Sequence, residues 1–122
     1  MEDPNEVYKD IVLEHFSNPR NVGVLEEADG YARVNSSSCG DSMELFIKVR
    51  DGSIVDIKYR TFGCAAAIAS SSYTTERVRG LTLEEAAAVR DEDISRALGL
   101  PDVKTHCSLL AVTALQEAIA DC

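Results

Sequence analysis

Two segments of alternating hydrophobic and polar residues flank Asp51-Gly52, and this arrangement constrains the fold more than any other feature of the chain. Alternation with a period of two is typical of a strand that buries one face. An Asp-Gly pair between two such segments predicts a two-residue hairpin turn. The alternating residues are Met43, Leu45, Ile47 and Val49 before the turn and Val55, Ile57, Tyr59 and Thr61 after it. With a further short strand predicted at residues 31–36, the sequence indicates a three-stranded antiparallel sheet with one face to cover.

Helical patterns on both sides of this β region supply the cover. Asp3-Pro4 predicts the start of a helix, as an N-cap followed by a first-turn proline, and Asn18-Pro19 predicts its end. A second helix is predicted to begin directly after Cys64 and to continue until Gly80 ends it. The first of these helices carries hydrophobic residues at the spacing of a helix that buries one face.

Three more helices are predicted downstream. Thr82 and Glu85 match a capping box at the start of a short helix. Asp91 is predicted to cap another, which Gly99 ends. The last helix is long, because apolar residues recur at helical spacing from position 107 to position 119. The sequence therefore predicts an α+β fold, a three-stranded antiparallel sheet packed by about five helices, in a single domain that spans residues 1–122.

The composition is that of an acidic globular protein. The chain has 122 residues, is 45% hydrophobic and 27% charged, and carries a formal net charge of −9. Nucleic-acid binding needs a concentrated basic patch, and the basic residues of the predicted strands instead alternate along an outer face. No stretch approaches the roughly 20 apolar residues of a membrane span, and no signal peptide is visible. We expect a cytoplasmic protein with reduced cysteines that binds neither nucleic acid nor membranes.

Three of the four cysteines have settings that suit metal binding. Cys39 and Asp41 flank a glycine, which can turn the chain so that both side chains lie on one side. Cys64 lies between a strand end and a first helical turn, where the helix dipole favours a thiolate. Cys107 follows His106 near the start of the last helix. Such a mixed set of sulfur, oxygen and nitrogen donors could hold a soft transition metal and leave one weak, exchangeable position.

Each of these residues also has a purely structural interpretation. Cys39 could be a loop thiol without a role, and Asp41 serves equally well as a turn residue that hydrogen-bonds its own backbone. Cys64 and Cys107 could be small core residues. A lone histidine is most often a satisfied surface or core residue, although beside a cysteine His106 could be a ligand or help to deprotonate the thiol. The fourth cysteine is the last residue and is not expected to be a ligand.

Taken together, these motifs resemble the U-type family of iron–sulfur cluster assembly scaffolds, which includes IscU and the N-terminal domain of NifU. The resemblance spans nearly the whole chain, with the motifs in order. They are HFSNPRNVG at residues 15–23, SCGDSM at 38–43, YRTFGC at 59–64, AIASSS at 67–72, LP at 100–101 and VKTHCS at 103–108.

The resemblance implies a scaffold rather than an enzyme with turnover of its own. Nascent [2Fe-2S] clusters would be built on the protein and passed to acceptor apoproteins. Sulfur would arrive as persulfide from a cysteine desulfurase, with Cys107 as the acceptor and Lys104 at the edge of the site. Iron and electrons would come from other partners, the electrons from a ferredoxin-type donor.

The cluster ligands implied by position are the sulfurs of Cys39, Cys64 and Cys107, with Asp41 or His106 as the fourth. Thiolates are soft and bind iron well, whereas a carboxylate is hard and exchanges more readily, so this set suits a cluster that must leave. The same donors could close a tetrahedral zinc site. A zinc-binding sulfur-acceptor protein is therefore the alternative function.

Three local features refine what the resemblance implies. Ala65 stands where the family usually has a glycine after the second cysteine. Asp102 stands where the family commonly has a second proline in its chaperone-recognition segment, which argues against binding of a dedicated Hsp70-type chaperone. The zinc-dependent branch usually carries an insertion between its second and third cysteines, and the short run from Gly80 to Leu100 has none. The cluster scaffold is therefore favoured over the zinc protein.

Overall fold

The computed structural model describes residues 9–36 and 40–122. This part of the chain contains three strands and five α-helices, which confirms the predicted α+β fold. In chain order the elements are α1 Asp10–Ser17, β1 Gly30–Asn35, β2 Ser42–Arg50, β3 Ser53–Phe62, α2 Ala65–Val78, α3 Leu83–Ala87, α4 Asp91–Leu98 and α5 Thr105–Ala120, with a 3-10 turn at Asp102–Lys104. Among these helices, none combines the length and the hydrophobicity needed to cross a membrane.

The sheet is antiparallel with strand order β1-β2-β3. The predicted hairpin turn joins β2 to β3, and its two residues have positive φ angles, 53° at Asp51 and 78° at Gly52. Two successive positive φ angles give the backbone twist that suits a two-residue hairpin, and an Asp-Gly pair tolerates them. At the other end of the hairpin Ser42 lies opposite Phe62. This register fixes which residues meet where β2 begins and β3 ends.

The hydrophobic core lies between the inner face of the sheet and two long helices. Helix α5 packs on β1 and β2, and α2 packs on β3. Most of the alternating strand residues are buried as predicted, among them Met43, Leu45, Ile47, Ile57 and Tyr59. The prediction is wrong at Val55, which is 40% exposed while Ile54 is buried, where the strand register shifts between Lys48 and Val49. Because α2 begins just after β3 ends, its N-terminus lies at the end of the sheet where Ser42 and Phe62 pair.

Helix α1 packs on the outer side of α2 through polar as well as apolar contacts. His15 Nδ1 lies 2.7 Å from Ser72 Oγ, and the Arg20 backbone N–H donates to the same hydroxyl. Asn21 Nδ2 donates to Thr75 Oγ1 at 3.2 Å. Ser72 and Thr75 of α2 are therefore the hydroxyl groups that receive α1 and the segment after it.

The first helix differs from the prediction in its extent. Helix α1 begins at Asp10, because Lys9 has an extended backbone with φ −69° and ψ 161°. The prediction of a single helix that runs from Asp3 to Asn18 is therefore wrong, while its predicted end at Asn18 is confirmed. Asp3-Pro4, the predicted start, lie outside the described residues.

The predicted cap of α4 was also wrong. Asp91 is the first helical residue rather than the cap, and the backbone N–H of the preceding Arg90 donates to Asp93 Oδ2 at 3.0 Å. The neighbouring signals are confirmed: the capping box at the start of α3 and the left-handed glycine that ends α4 both formed as predicted.

Candidate metal centre

Three side chains predicted to bind a metal come together at the end of the sheet. One ligand atom each from Asp41, Cys64 and Cys107 lies within 4.8 Å of the other two. The two sulfur atoms are 3.7 Å apart. We call these three residues the donor group. In sequence they are far apart, so the fold alone brings them together.

The strand register explains the meeting of the first two. Because Ser42 lies opposite Phe62, the residue before β2 and the residues after β3 are neighbours across the hairpin. Asp41 therefore lies beside the corner that leads to Cys64. Its side chain is turned away from water, with only 5% of the residue exposed.

Cys64 occupies the N-cap position of α2. Its backbone is extended, with φ −74° and ψ 173°, and its carbonyl accepts the first hydrogen bond of the helix, from the Ile68 N–H. The sulfur is therefore close to the positive end of the helix dipole. The residue is partly exposed, so the donor group can be reached from solvent at this point.

Cys107 supplies the buried side of the donor group from the first turn of α5, with 1% of the residue exposed. The pKa of this thiol is raised to about 12, mainly by burial and also by Cys64 and Asp41, with Lys104 opposing them. Gathering three potentially anionic donors in a poorly hydrated place makes their simultaneous ionisation unfavourable. A cation that binds there must displace a proton from the thiol and would then compensate the charge.

The remaining candidates lie around the donor group. His106 Nε2 is 3.5 Å from the sulfur of Cys107, but this ring is not one of the three mutually close donors. The positive charge of Lys104 acts on the same sulfur and lowers the pKa of Cys107. Cys39 lies outside the described residues. Ser36, the last described residue before this gap, donates its backbone N–H to the Asp41 carbonyl at 2.8 Å.

Sequence reasoning missed two residues near the donor group, Phe62 and Gly63, at the corner between β3 and α2. Phe62 is 78% exposed, an unusual position for an aromatic residue, and it stands two residues before Cys64. The strand alternation does indicate that Phe62 points outward, because it directly follows Thr61, the last of the alternating inward positions. Gly63 lies directly against the carboxylate of Asp41, a contact that no local pattern could have indicated.

The fold and the donor group define a small α+β protein that gathers two thiols and a carboxylate at one end of its sheet. The family model described as the NifU-like N terminal domain matches residues 7–122. The chain therefore belongs to the NifU-like N-terminal domain family, as the sequence motifs predicted.

Relatives of known sequence and structure agree with this membership. The chain is 53% identical over 116 residues to a protein of Archaeoglobus fulgidus named iron-sulfur cluster assembly scaffold protein IscU 1, covering 94% of this chain and 76% of the relative. It is 50% identical over 118 residues to the scaffold protein IscU of Haemophilus influenzae, covering 93% and 94%. The crystal structure of an N-terminal NifU-like protein from Brucella abortus superposes with a TM-score of 0.79 at 27% identity, covering 96% of this chain and 94% of that one.

Proposed function

We propose that this protein is a scaffold on which iron–sulfur clusters are assembled before they pass to other proteins. One observation carries the proposal: two thiols and a carboxylate lie within 4.8 Å of one another in a chain whose relatives bear the name of cluster assembly scaffolds. A group of this size suits one small inorganic centre. The cluster is cargo in this function, so the protein turns over no substrate of its own.

The ligands we propose for a labile [2Fe-2S] cluster are Cys39, Cys64, Cys107 and Asp41. Thiolates satisfy the preference of iron in clusters for sulfur, and the carboxylate is the hard, exchangeable ligand. Asp41 is favoured over His106 as the fourth ligand because it belongs to the donor group, whereas the histidine contacts only Cys107. A cluster held in this way can leave when an acceptor protein offers a fourth thiolate.

Sulfur would be supplied by a cysteine desulfurase. The Cys107 thiolate attacks the outer sulfur of a persulfide on the desulfurase, forming a new S–S bond while the donor's cysteine leaves as a thiolate. Lys104 is the group that stabilises the attacking thiolate, since its charge lowers the pKa of Cys107 against the larger effect of burial. Because Cys107 is only 1% exposed, the partner must open the start of α5 for this transfer.

Reduction of the delivered sulfur to sulfide consumes electrons, which the chain cannot provide. A ferredoxin-type donor is the partner proposed for this step, and apoproteins that lack their cluster are the acceptors. We place the assembly in the cytoplasm.

Anaerobic reconstitution with iron, sulfide and a desulfurase tests the proposal. The wild-type protein should become red and contain acid-labile sulfide. Cluster loss to a chelator should be slower in Asp41→Ala, because exchange begins at the oxygen ligand, and unchanged in Asp56→Ala, a strand residue that pairs with Arg79. Faster loss in Asp41→Ala would contradict its role as the exchange point. Zinc in protein isolated without oxygen, combined with failure of reconstitution, would favour the zinc-binding alternative.

A further inference from the structure

We infer that Gly63 is a positioning residue for Asp41: its missing side chain leaves the space that the carboxylate occupies when it faces the two sulfurs. This inference rests on the proposed function, because it concerns how the donor group is kept complete. Gly63 has no side chain with which to bind a metal. It acts through the carboxylate.

The space at Gly63 is already full. A Cβ atom placed there would lie 2.7 Å from Asp41 Oδ1 and 2.8 Å from Asp41 Cγ, and 3.1 Å from the Cβ of Ala67 on its other side. Carbon and oxygen atoms without a covalent bond do not approach so closely, so either the carboxylate or the corner would have to move.

The need for glycine here is steric rather than conformational. Gly63 is not among the glycines with positive φ, so its backbone is one that alanine can adopt. Gly40, which precedes Asp41 in the chain, shows the opposite case: its φ is 72°, and no described residue has an atom within 4 Å of the position that a Cβ would take. One glycine therefore turns the chain into the site, and the other makes room for the side chain.

Asp41 has little freedom to give way while keeping its place. Its carbonyl is held by the Ser36 N–H at 2.8 Å, and Ser42 is fixed in the sheet opposite Phe62. The residue is 5% exposed, so neighbouring atoms surround it. A methyl group at position 63 must consequently turn the carboxylate to another rotamer, away from the position it now shares with the sulfurs.

It follows that Gly63→Ala should behave like removal of the carboxylate and unlike removal of a thiol. The two cysteines keep their positions at the starts of α2 and α5, and only the oxygen donor leaves. The effect should also vanish when Asp41 is already gone, because Asp41→Ala removes the two atoms that the new methyl group would meet.

A double-mutant cycle with Co²⁺ as the probe tests this, using the wild type, Gly63→Ala, Asp41→Ala and the double variant. The affinity is measured by anaerobic titration, and the ultraviolet sulfur-to-cobalt band and the visible d–d bands report thiolate number and geometry. We expect both single variants to bind Co²⁺ about tenfold more weakly, with the same altered d–d spectrum and an undiminished sulfur band. The double variant should bind no more weakly than Asp41→Ala.

Gly52→Ala is the matched control. Gly52 has a φ of 78° and nothing within 4 Å, so a methyl group there strains the hairpin without touching the site. It should lower the stability of the protein but leave the Co²⁺ affinity unchanged. A weaker affinity in this variant would show that general loosening is enough to explain the effect, and the inference would fail.

Two further results would overturn the inference: wild-type affinity and spectra in Gly63→Ala, or an equal loss in the presence and absence of Asp41. If Gly63→Ala does not fold, the inference requires that the double variant folds, and failure of both overturns it. Failure of the proposed function would look different. The wild type would then bind no Co²⁺. The effects of Gly63→Ala and Asp41→Ala on the free energy of unfolding, measured in urea without metal, would still be non-additive.

Discussion

Cys107 shows why a single residue could not be assigned from its local sequence. Its position on the apolar stripe of the last helix suggested core packing, and the neighbouring histidine suggested a ligand. In the structure the residue is 1% exposed, as expected of core packing, and its sulfur also lies 3.7 Å from that of Cys64. Burial and metal binding are compatible at a helix start, where a core position can also face the end of a sheet.

A lone histidine is most often a satisfied surface or core residue, and the surroundings of His15 make it a pH-sensitive contact. Burial lowers its pKa below the usual value, with Arg20 lowering it further and Glu76 and Glu14 opposing this. One ring nitrogen lies 2.7 Å from Ser72 Oγ, and the ring packs edge-on against Tyr73. The folded protein therefore prefers the neutral ring.

This preference predicts a loss of stability in mild acid. Because the unfolded chain binds the proton more readily than the folded one, the contribution is complete above the unfolded pKa of about 6.5 and falls as the pH drops below it. The free energy of unfolding should decrease by up to about 1.4 kcal/mol per pH unit there. Urea unfolding between pH 7.5 and 5 measures this.

His15→Gln should flatten that slope, since the amide can bond Ser72 but does not titrate in this range. His106→Gln controls for the loss of a histidine elsewhere and should retain the part of the slope that belongs to position 15. An unchanged slope in His15→Gln would assign the acid sensitivity to other groups.

At the scale of elements, the sequence predicts what depends on local chemistry. The hairpin, the capping box of α3 and the glycine that ends α4 all follow from residues within a few positions of one another. The wrong prediction for the start of α4 also has a local cause. An acidic side chain at the third position of a helix can accept a hydrogen bond from the backbone N–H of the cap residue, so the cap residue itself need not be acidic. Asp93 does so, which leaves Arg90 at the cap.

The arrangement of the donor group cannot be predicted from local chemistry. Its geometry depends on the register that sets Ser42 opposite Phe62 and on the packing of α5 across the sheet. Both are long-range properties. From residues alone one obtains candidate ligands that could form one mixed donor set, and the resemblance to a family supports their meeting without giving the geometry.

The junction of β1 with the end of α5 offers a prediction at this scale. A Cβ at Gly30 would overlap the carbonyl oxygen of Ala118 and lie 2.7 Å from Cys122 Sγ. Close approach of strand and helix backbones is thus possible only with glycine. The Tyr31 N–H donates to Asp121 Oδ2 at 2.9 Å beside it, which fixes the approach.

Gly30→Ala should therefore lower the free energy of unfolding by about 1–3 kcal/mol, measured by the urea midpoint. Most of the loss should remain in a Cys122→Ala background, because the backbone oxygen stays in place. Asn35→Ala, at the exposed end of the same strand, should have little effect. A wild-type midpoint in Gly30→Ala would mean that helix and strand separate without cost.

On the scale of the molecule, the donor group joins the sheet to both of its long helices. Asp41 precedes β2, Cys64 precedes α2, and Cys107 lies in the first turn of α5. Unfolding separates these elements, so a cation bound by all three donors binds the folded chain far better than the unfolded one. Ligand binding of this kind stabilises a protein by mass action, by about 2.7 kcal/mol at a free concentration of 100 times Kd.

We therefore predict that Zn²⁺ alone raises the Tm of the metal-free protein, by on the order of 10 °C near that concentration, and that a chelator reverses the shift. Cys64→Ala should abolish most of the shift, because it removes the donor that links the sheet to α2. Cys122→Ala should keep it, although it also removes a thiol, because that cysteine lies at the far end of α5, about 22 Å along the helix from Cys107. An equal loss in both variants would mean that Zn²⁺ binds any available thiol, and the three donors would then not act as one centre.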